Sequence, residues 1–572
     1  MLCQATAVRS LRDPIRICRI MLGNCANRAP RSAVLASSDA RIGVCLGNQR
    51  NSMALPDSLV SLMSPHAYAH AVETVHLVET HISWILLTGE FAYKIKRPVT
   101  FPFVDLRSVE RRAFLCKEEV RLNRRFAAEI YIGVCNITSD ENGARFDGKG
   151  RVVEHAVKMV QFERREQLDA LLAAQQIAPG ELETFGDALA GIHSNLPSAD
   201  PAHEWGRPVS VRETIVRNLD ECTQASRGFG GADLLAALRQ PLEKRLDSAI
   251  DWMSERRAAG KVRECHGDLH CSNIVRLQSR LRAFDCLEFD PALRWIDVAD
   301  EVAFLLADLD SFHRPAHVHA FLSGYLARSG DYSACRFLHL YAAHRSLVRA
   351  KVTALAPAVS GDPTGMSVAR ERYDIHLACA RAYLSPKEPV LILMSGLSGS
   401  GKTSLAKALA RPFGAVHIRS DIERKRLAGL SASDRSGSGV GQDLYSSEMN
   451  QRLQQHLLRS AESTLAGGYT TIVDATFSRR GDRRQFADLA KDLGVAACVV
   501  HCHAPLDVLR SRIEERARRS DDPSEADLAV LEWQQKHYEP LEAGEPLQVF
   551  EADTNNSLAG MRLKGEIGDW RA

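Results

Sequence analysis

The sequence predicts two domains of different class: an α+β domain of two lobes, with a small antiparallel sheet preceding helices, and then an α/β domain built on a parallel sheet. Three observations carry this. The chain has 572 residues, too many for one core when domains run to about 100–200 residues. From Pro56 to Leu384 strand-like runs come first and long helical patterns follow. After Ser385-Pro386-Lys387-Glu388-Pro389 strands and helices alternate, the rhythm of a parallel sheet with crossover helices.

Taken in order, residues 1–52 stand apart, with eight arginines, no lysine and four cysteines, and only Asp13 and Asp39 as acids. They read as an over-long start or a disordered tail; an Arg-rich, acid-poor organelle transit peptide is the competing reading. The expected division is an extension over 1–55, a first domain over 56–385 and a second over 386–572. In the first, His76–Leu87, Glu90–Lys96 and Val152–Val160 read as strands, and 182–193, 235–257, 319–326 and 336–352 as helices. In the second, strands are expected over 390–394, 415–419, 470–473 and 496–500, and helices over 403–410, 451–466 and 483–493. Ser431–Gly441 is a Ser/Gly-rich loop.

Composition excludes several classes. With 45% hydrophobic and 25% charged residues and a formal net charge of +2, no charge field points to a polyanionic partner. The longest apolar runs fall far short of the ~20 residues that cross a bilayer. Fourteen scattered cysteines read as reduced thiols, and the expected location is cytoplasmic. Cys265, His266, His270 and Cys271 lack the CxxC pair of a zinc site. Cys498, His501, Cys502 and His503 sit where strand alternation divides them between two faces.

Gly396-Leu-Ser398-Gly399-Ser400-Gly401-Lys402-Thr403-Ser404 follows an apolar strand and opens a helix. It fits G-x-x-x-x-G-K-[ST], whose backbone N–H groups wrap phosphates, whose lysine reaches the β- and γ-phosphates and whose hydroxyl reaches magnesium. Asp474 ends the strand Thr470–Val473, where a carboxylate holds a hydrated magnesium ion. Asp421 ends the strand Ala415–Arg419 region, and Arg424 follows one turn later. These residues resemble the P-loop kinases that include gluconate-kinase-like, zeta-toxin-like and polynucleotide 5′-hydroxyl kinases. The resemblance implies that Asp421 accepts the acceptor's proton and that Arg512 and Arg516 belong to a lid over the transferring phosphate. A solvated helix face is the other reading of those arginines.

Cys265-His266-Gly-Asp268-Leu-His-Cys-Ser-Asn273 sets an Asp and an Asn five residues apart, and the strand Leu281–Phe284 ends at Asp285. This spacing suits a proton acceptor and two magnesium ligands. It resembles the aminoglycoside phosphotransferase and choline kinase branch of the protein-kinase-like fold. The resemblance implies Asp268 as base, Asn273 and Asp285 as magnesium ligands, Lys94 on the α- and β-phosphates, and Glu119 as the partner of that lysine. Lys96 shares the strand face of Lys94, and Glu118 fits nearly as well by spacing. No glycine-rich loop precedes them, and Glu288 and Asp290 follow Asp285 as acids without a role.

As a whole the chain resembles bacterial two-domain proteins that join an aminoglycoside-phosphotransferase-like domain to a P-loop kinase domain. The resemblance implies two ATP- and magnesium-dependent phosphotransfers to hydroxyl groups, small molecules being the expected acceptors. A nucleotide-responsive regulator with a pseudokinase first domain competes, as does a polynucleotide 5′-hydroxyl kinase. For the last, only Tyr445, Trp533 and Tyr538 offer stacking near the P-loop.

Overall fold

The computed structural model describes residues 55–571 apart from 102–103, 356–362, 386, 433, 435–443, 445, 520–523, 543 and 557–558. The amino-terminal extension before Leu55, most of the Ser/Gly-rich loop and Tyr445 therefore lie outside the described residues. Among those described, no helix is long and apolar enough to cross a membrane.

The first sheet has six antiparallel strands in the order 76–79, 83–87, 91–96, 151–160, 131–140, 143–146. Its first two strands correct the single run expected over His76–Leu87. A turn at residues 80–82 divides it, with the Ser83 N–H donating to Thr80 Oγ1 at 2.9 Å. The helix Val109–Ala127 crosses this sheet and buries Glu119 completely. Helices 179–195, 208–225, 232–258, 298–311, 315–329, 335–355 and 363–384 build the second lobe. The hairpin 274–277/280–283 follows the His-Gly-Asp loop and falls between the helices 232–258 and 298–311 in sequence.

From Val390 onward, five strands run parallel in the order 416–419, 471–474, 390–395, 496–503, 548–553. Their central members are fully buried, as a sheet covered on both faces requires. Met394 and Arg419 both register with Asp474, so three carboxyl ends meet beside the glycine-rich loop, where open α/β sheets bind ligands. In the strand 496–503, Cys498 and Cys502 face the core while His501 and His503 face Glu551 on the neighbouring strand.

The two units share one hydrophobic core and a polar contact. Glu423, wholly buried in the helix Ser420–Leu427, accepts from Tyr332 OH at 3.0 Å and pairs with Arg426 at 3.0 Å and His456 at 2.9 Å. Arg426 also donates to the carbonyls of Ala327 and Arg328 at 2.6 and 2.8 Å, satisfying the end of the helix Pro315–Ser329. A buried carboxylate is tolerable only when partnered in this way.

Three histidines inside the helical lobe contribute to the pH response of stability. Burial, reinforced by nearby cations, holds His339 and His344 well below the ordinary histidine range and pushes His376 down to about 3. Below pH 6.5 the unfolded chain protonates these rings and the folded chain does not. The unfolded state then binds more protons, so stability falls with pH at ~1.4 kcal/mol per pH unit for each such ring. Thermal unfolding is expected to show a lower midpoint at pH 5 than at pH 6.5, above the range in which ordinary carboxylates titrate. An unchanged midpoint would contradict the neutral, buried state of these rings.

Candidate active sites

In the first unit, the strand Phe91–Lys96 turns Lys94 and Lys96 inward together, as alternation requires. Both reach Glu119: Lys94 Nζ lies 2.9 Å from Oε1 and Lys96 Nζ 2.6 Å from Oε2. Glu118 instead pairs with Arg121 at 2.8 Å. Lys94 also contacts Asp285, and Lys96 contacts Glu288. Glu288 thus acquires a place as counter-ion to the second lysine. Burial works against the charge on Lys94, but Asp285 and Glu119 outweigh it and hold its pKa well above the ordinary value.

Asp285 has φ of 66°, a region that non-glycine residues rarely adopt. Its N–H donates to Tyr131 OH at 3.0 Å and the following N–H to Asn123 Oδ1 at 2.9 Å. Such over-determination is what allows strain to persist at a functional turn. It aims the carboxylate at Lys94. Across from it, the Asn273 amide donates to the carbonyl of Asp268 at 3.0 Å and to its Oδ2 at 3.1 Å. Burial tends to raise the pKa of Asp268, and His270, His266 and Arg349 more than offset it, leaving the carboxyl below its usual value.

The loop carrying Asp268 has supports that sequence reading missed. The Gly267 N–H donates to Glu301 Oε2 at 2.7 Å, Glu301 Oε1 lies 3.0 Å from His193 Nε2, and His193 Nδ1 lies 2.9 Å from Tyr325 OH. The only signal available was a pair of acids, Asp300 and Glu301, inside an apolar helix. His193, Cys265 and Glu301 are close enough to hold a metal ion, but the donors of His193 and Glu301 are already committed to one another and to the loop. Asp297 caps the helix Val298–Ser311 and pairs with Arg256 at 2.7 Å, a bracing position.

In the second unit the loop 396–401 is shaped by its glycines. Gly396 has φ of 138°, and a Cβ there would lie 2.2 Å from the Cys502 carbonyl. Gly399 and Gly401, both with φ of 80°, give the backbone the reversals that a phosphate cradle needs. Within the loop the Ser400 hydroxyl is buried without a partner, and the Ser398 N–H donates to Gln534 Oε1 at 2.8 Å. Lys402 opens the helix Lys402–Phe413, and its ammonium donates to the Leu397 carbonyl at 2.9 Å. Burial pulls its pKa down against the attraction of Asp474 and Asp421. Ser404 follows in the first turn of that helix.

Asp474 is buried, with His417 Nε2 at 3.2 Å from its Oδ2. Burial raises its pKa, but His417, Lys402 and a hydrogen bond with Thr403 leave it below the ordinary value. Thr403, Asp474, Lys402 and Asp421 are thereby gathered at one end of the sheet. Arg424 donates to the Leu444 carbonyl and to Asn450 Oδ1 at 2.7 and 2.6 Å. Arg512 donates to the Gly399 carbonyl at 3.2 Å and to Thr554 Oγ1 and O at 3.0 Å each. It bolts its helix to the glycine loop. Arg516 donates to the Ala526 carbonyl at 2.5 Å and is near enough to act on Lys402.

The donor chemistry fits a hard divalent cation at both places: hydroxyl and carboxylate at Thr403 and Asp474, amide and carboxylate at Asn273 and Asp285. No thiolate is needed at either.

The phosphotransferase enzyme family matches residues 107–338, and an AAA domain family matches residues 391–541. An uncharacterized protein of Mycobacterium tuberculosis is 29% identical over 453 residues, covering 79% of this chain and 88% of its own length. An uncharacterized protein of Mycobacterium bovis matches to the same extent. Among solved structures, a choline/ethanolamine kinase family protein from Mesorhizobium loti is 12% identical, covers 54% of this chain and 93% of its own, and has a TM-score of 0.32. A gluconokinase from Sinorhizobium meliloti is 17% identical, covers 32% and 99%, and has a TM-score of 0.23.

Proposed function

We propose that this chain, which joins a kinase-like domain of the phosphotransferase type to a P-loop kinase domain, moves the γ-phosphoryl group of ATP to hydroxyl acceptors at two separate sites. The observation that carries the reading is the gathering of Lys402, Thr403, Asp474 and Asp421 at the carboxyl ends of the parallel sheet. Asp268, Asn273, Asp285 and Lys94 form the matching set in the first unit.

In each site the acceptor hydroxyl attacks the γ-phosphorus, its proton passes to an aspartate, and the bond from phosphorus to the β-bridging oxygen breaks as ADP leaves. Asp268 is the proton acceptor in the first unit and Asp421 in the second. Bound magnesium would neutralise charge on the phosphate oxygens, held by Asn273 and Asp285 in one site and by Thr403 and Asp474 in the other. Lys94 and Lys402 orient the phosphates, and the closeness of these groups supplies most of the catalysis through positioning. Arg424 and Arg516 are candidates for the charge that grows on the transferring group. Arg512 serves this role only if it exchanges its present carbonyl partners for phosphate.

A second reading is favoured by Glu423, which lies two residues from Asp421 and binds Tyr332 of the first unit. Nucleotide at one site then biases the other without phosphorylating a small molecule. Calorimetric titration with a non-hydrolysable ATP analogue and magnesium is expected to give two sites per chain, falling to one in Lys402→Ala. A single site in the unaltered protein would remove one unit from the proposal.

A further inference from the structure

The helix Cys335–Leu355 turns Arg345 and Arg349, one turn apart, toward Asp300 and Asp308 of the helix Val298–Ser311. The two arginines are used differently. Arg345 is committed: both its Nε and Nη2 donate to Asp300 at 2.7 Å, and its guanidinium lies over the Phe304 ring at 4.8 Å. Arg349 is not. Its Nε lies 3.2 Å from Asp308 Oδ1, but it makes no hydrogen bond among the described residues, and its side chain keeps 23% of its surface exposed.

This half-used arginine stands beside the loop that carries Asp268. Asp308 Oδ2 accepts from the Cys271 N–H at 2.8 Å, so the ion pair abuts the loop directly. His270 Nε2 lies 3.4 Å from Asp268 Oδ2, and its Nδ1 is buried without a partner. The His376 Nδ1, on the helix Pro363–Leu384, is also buried and unpartnered. Arg372 of that helix is exposed and makes no ion pair among the described residues, and both it and Arg349 act electrostatically on His376. The surroundings of Asp268 on this side thus combine a guanidinium held by one ion pair and no hydrogen bond among the described residues with imidazole nitrogens that lack partners, and the exposed Arg372 acts on the second of those imidazoles.

A cationic acceptor would need spare carboxylates or an open aromatic face. Asp308 is already held by Cys271 and Arg349, and Arg345 covers Phe304. An oxyanion, in contrast, matches the planar fork of an arginine, which can take it bidentately.

We propose that the compound phosphorylated at Asp268 is a hydroxyl compound that also carries an oxyanion, a carboxylate or a phosphate, received by Arg349 with Arg372 at the entrance. The proposal rests on Asp268 as the proton acceptor and adds the class of its substrate.

The test is equilibrium binding by calorimetry to the full chain saturated with ADP and magnesium, so that the phosphate loop 396–403 is occupied. The probes are D-gluconate for the carboxylate source, glycerol 3-phosphate for the phosphate source, glycerol as the neutral control and choline as the cationic one. One anionic probe is expected to bind, and Arg349→Gln to weaken it by about tenfold or more, with Arg349→Lys between. Arg372→Gln, on an exposed surface and without an ion-pair partner among the described residues, is expected to weaken it by about threefold, and keeps the test open if Arg349→Gln fails to fold. Choline or glycerol binding as well as the anions, or no anion binding that depends on either arginine, overturns the proposal. If an anion binds through Arg349 yet is not phosphorylated when ATP replaces ADP, the anion site stands and phosphotransfer at Asp268 fails. Phosphorylation of a neutral acceptor, unchanged in Arg349→Gln, gives the reverse.

Discussion

Lys402→Ala is expected to lower turnover at the P-loop site by about 10²–10³-fold, the range seen when one preorganised charge donor is removed from a transition state. Among the described residues the lysine makes no direct ion pair with a carboxylate, and it donates to the Leu397 carbonyl within its own loop. Burial disfavours its charge, so the folded state loses little when it is removed. A positive charge kept beside Asp474 and Asp421 without such a return in stability is best understood as kept for phosphate. The check is ATP turnover in a protein whose melting temperature is unchanged. Unaltered turnover in every assay would remove the glycine loop from the chemistry.

Asp268→Asn is expected to abolish transfer in the first unit by about 10²–10⁴-fold, the contribution of a positioned proton acceptor, while leaving the P-loop site intact. The substitution is nearly isosteric, and Asn273 can still donate to the remaining side-chain oxygen and to the backbone carbonyl it holds now. Folding is therefore preserved and the lost property is proton acceptance. Because the carboxyl already sits below its usual pKa, the activity of the unaltered site should persist down through mildly acidic pH. Separate assays of the two variants decide whether each unit works alone. A loss of both activities in either variant would favour coupling through Glu423 and Tyr332.

Legibility differed with the range of the interaction. The glycine loop, the Asp268–Asn273 spacing and the strand-end acids Asp285 and Asp474 are local signals, set by a few consecutive residues and by strand alternation. Alternation placed Lys94 and Lys96 on one face but could not divide their roles, because each finds a carboxylate supplied by distant segments, Glu119 and Glu288. The helix Val298–Ser311 was not read as one. It is buried on nearly every side and so lacks an amphipathic period, and its acids are explained by distant partners, among them Gly267, His193, Arg345, Arg349 and Tyr383. The strand pair 131–140/143–146 and the last strand 548–553 also went unread. The lid role of Arg512 was implied only by the resemblance; Gly399 and Thr554, its present partners, are 113 and 42 residues away. Glu423 shows the same limit, since its partner Tyr332 lies 91 residues earlier, in the other unit.

The central claim is phosphoryl transfer to a hydroxyl, and its most direct test follows the γ-phosphate of labelled ATP into a pooled metabolite and RNA extract with the unaltered protein, Asp268→Asn and Asp421→Asn. The account predicts labelled small-molecule product that disappears in one variant and survives in the other, which identifies the unit responsible. No labelled product from any form, with ATP still bound, would contradict it and leave a nucleotide-responsive protein in its place.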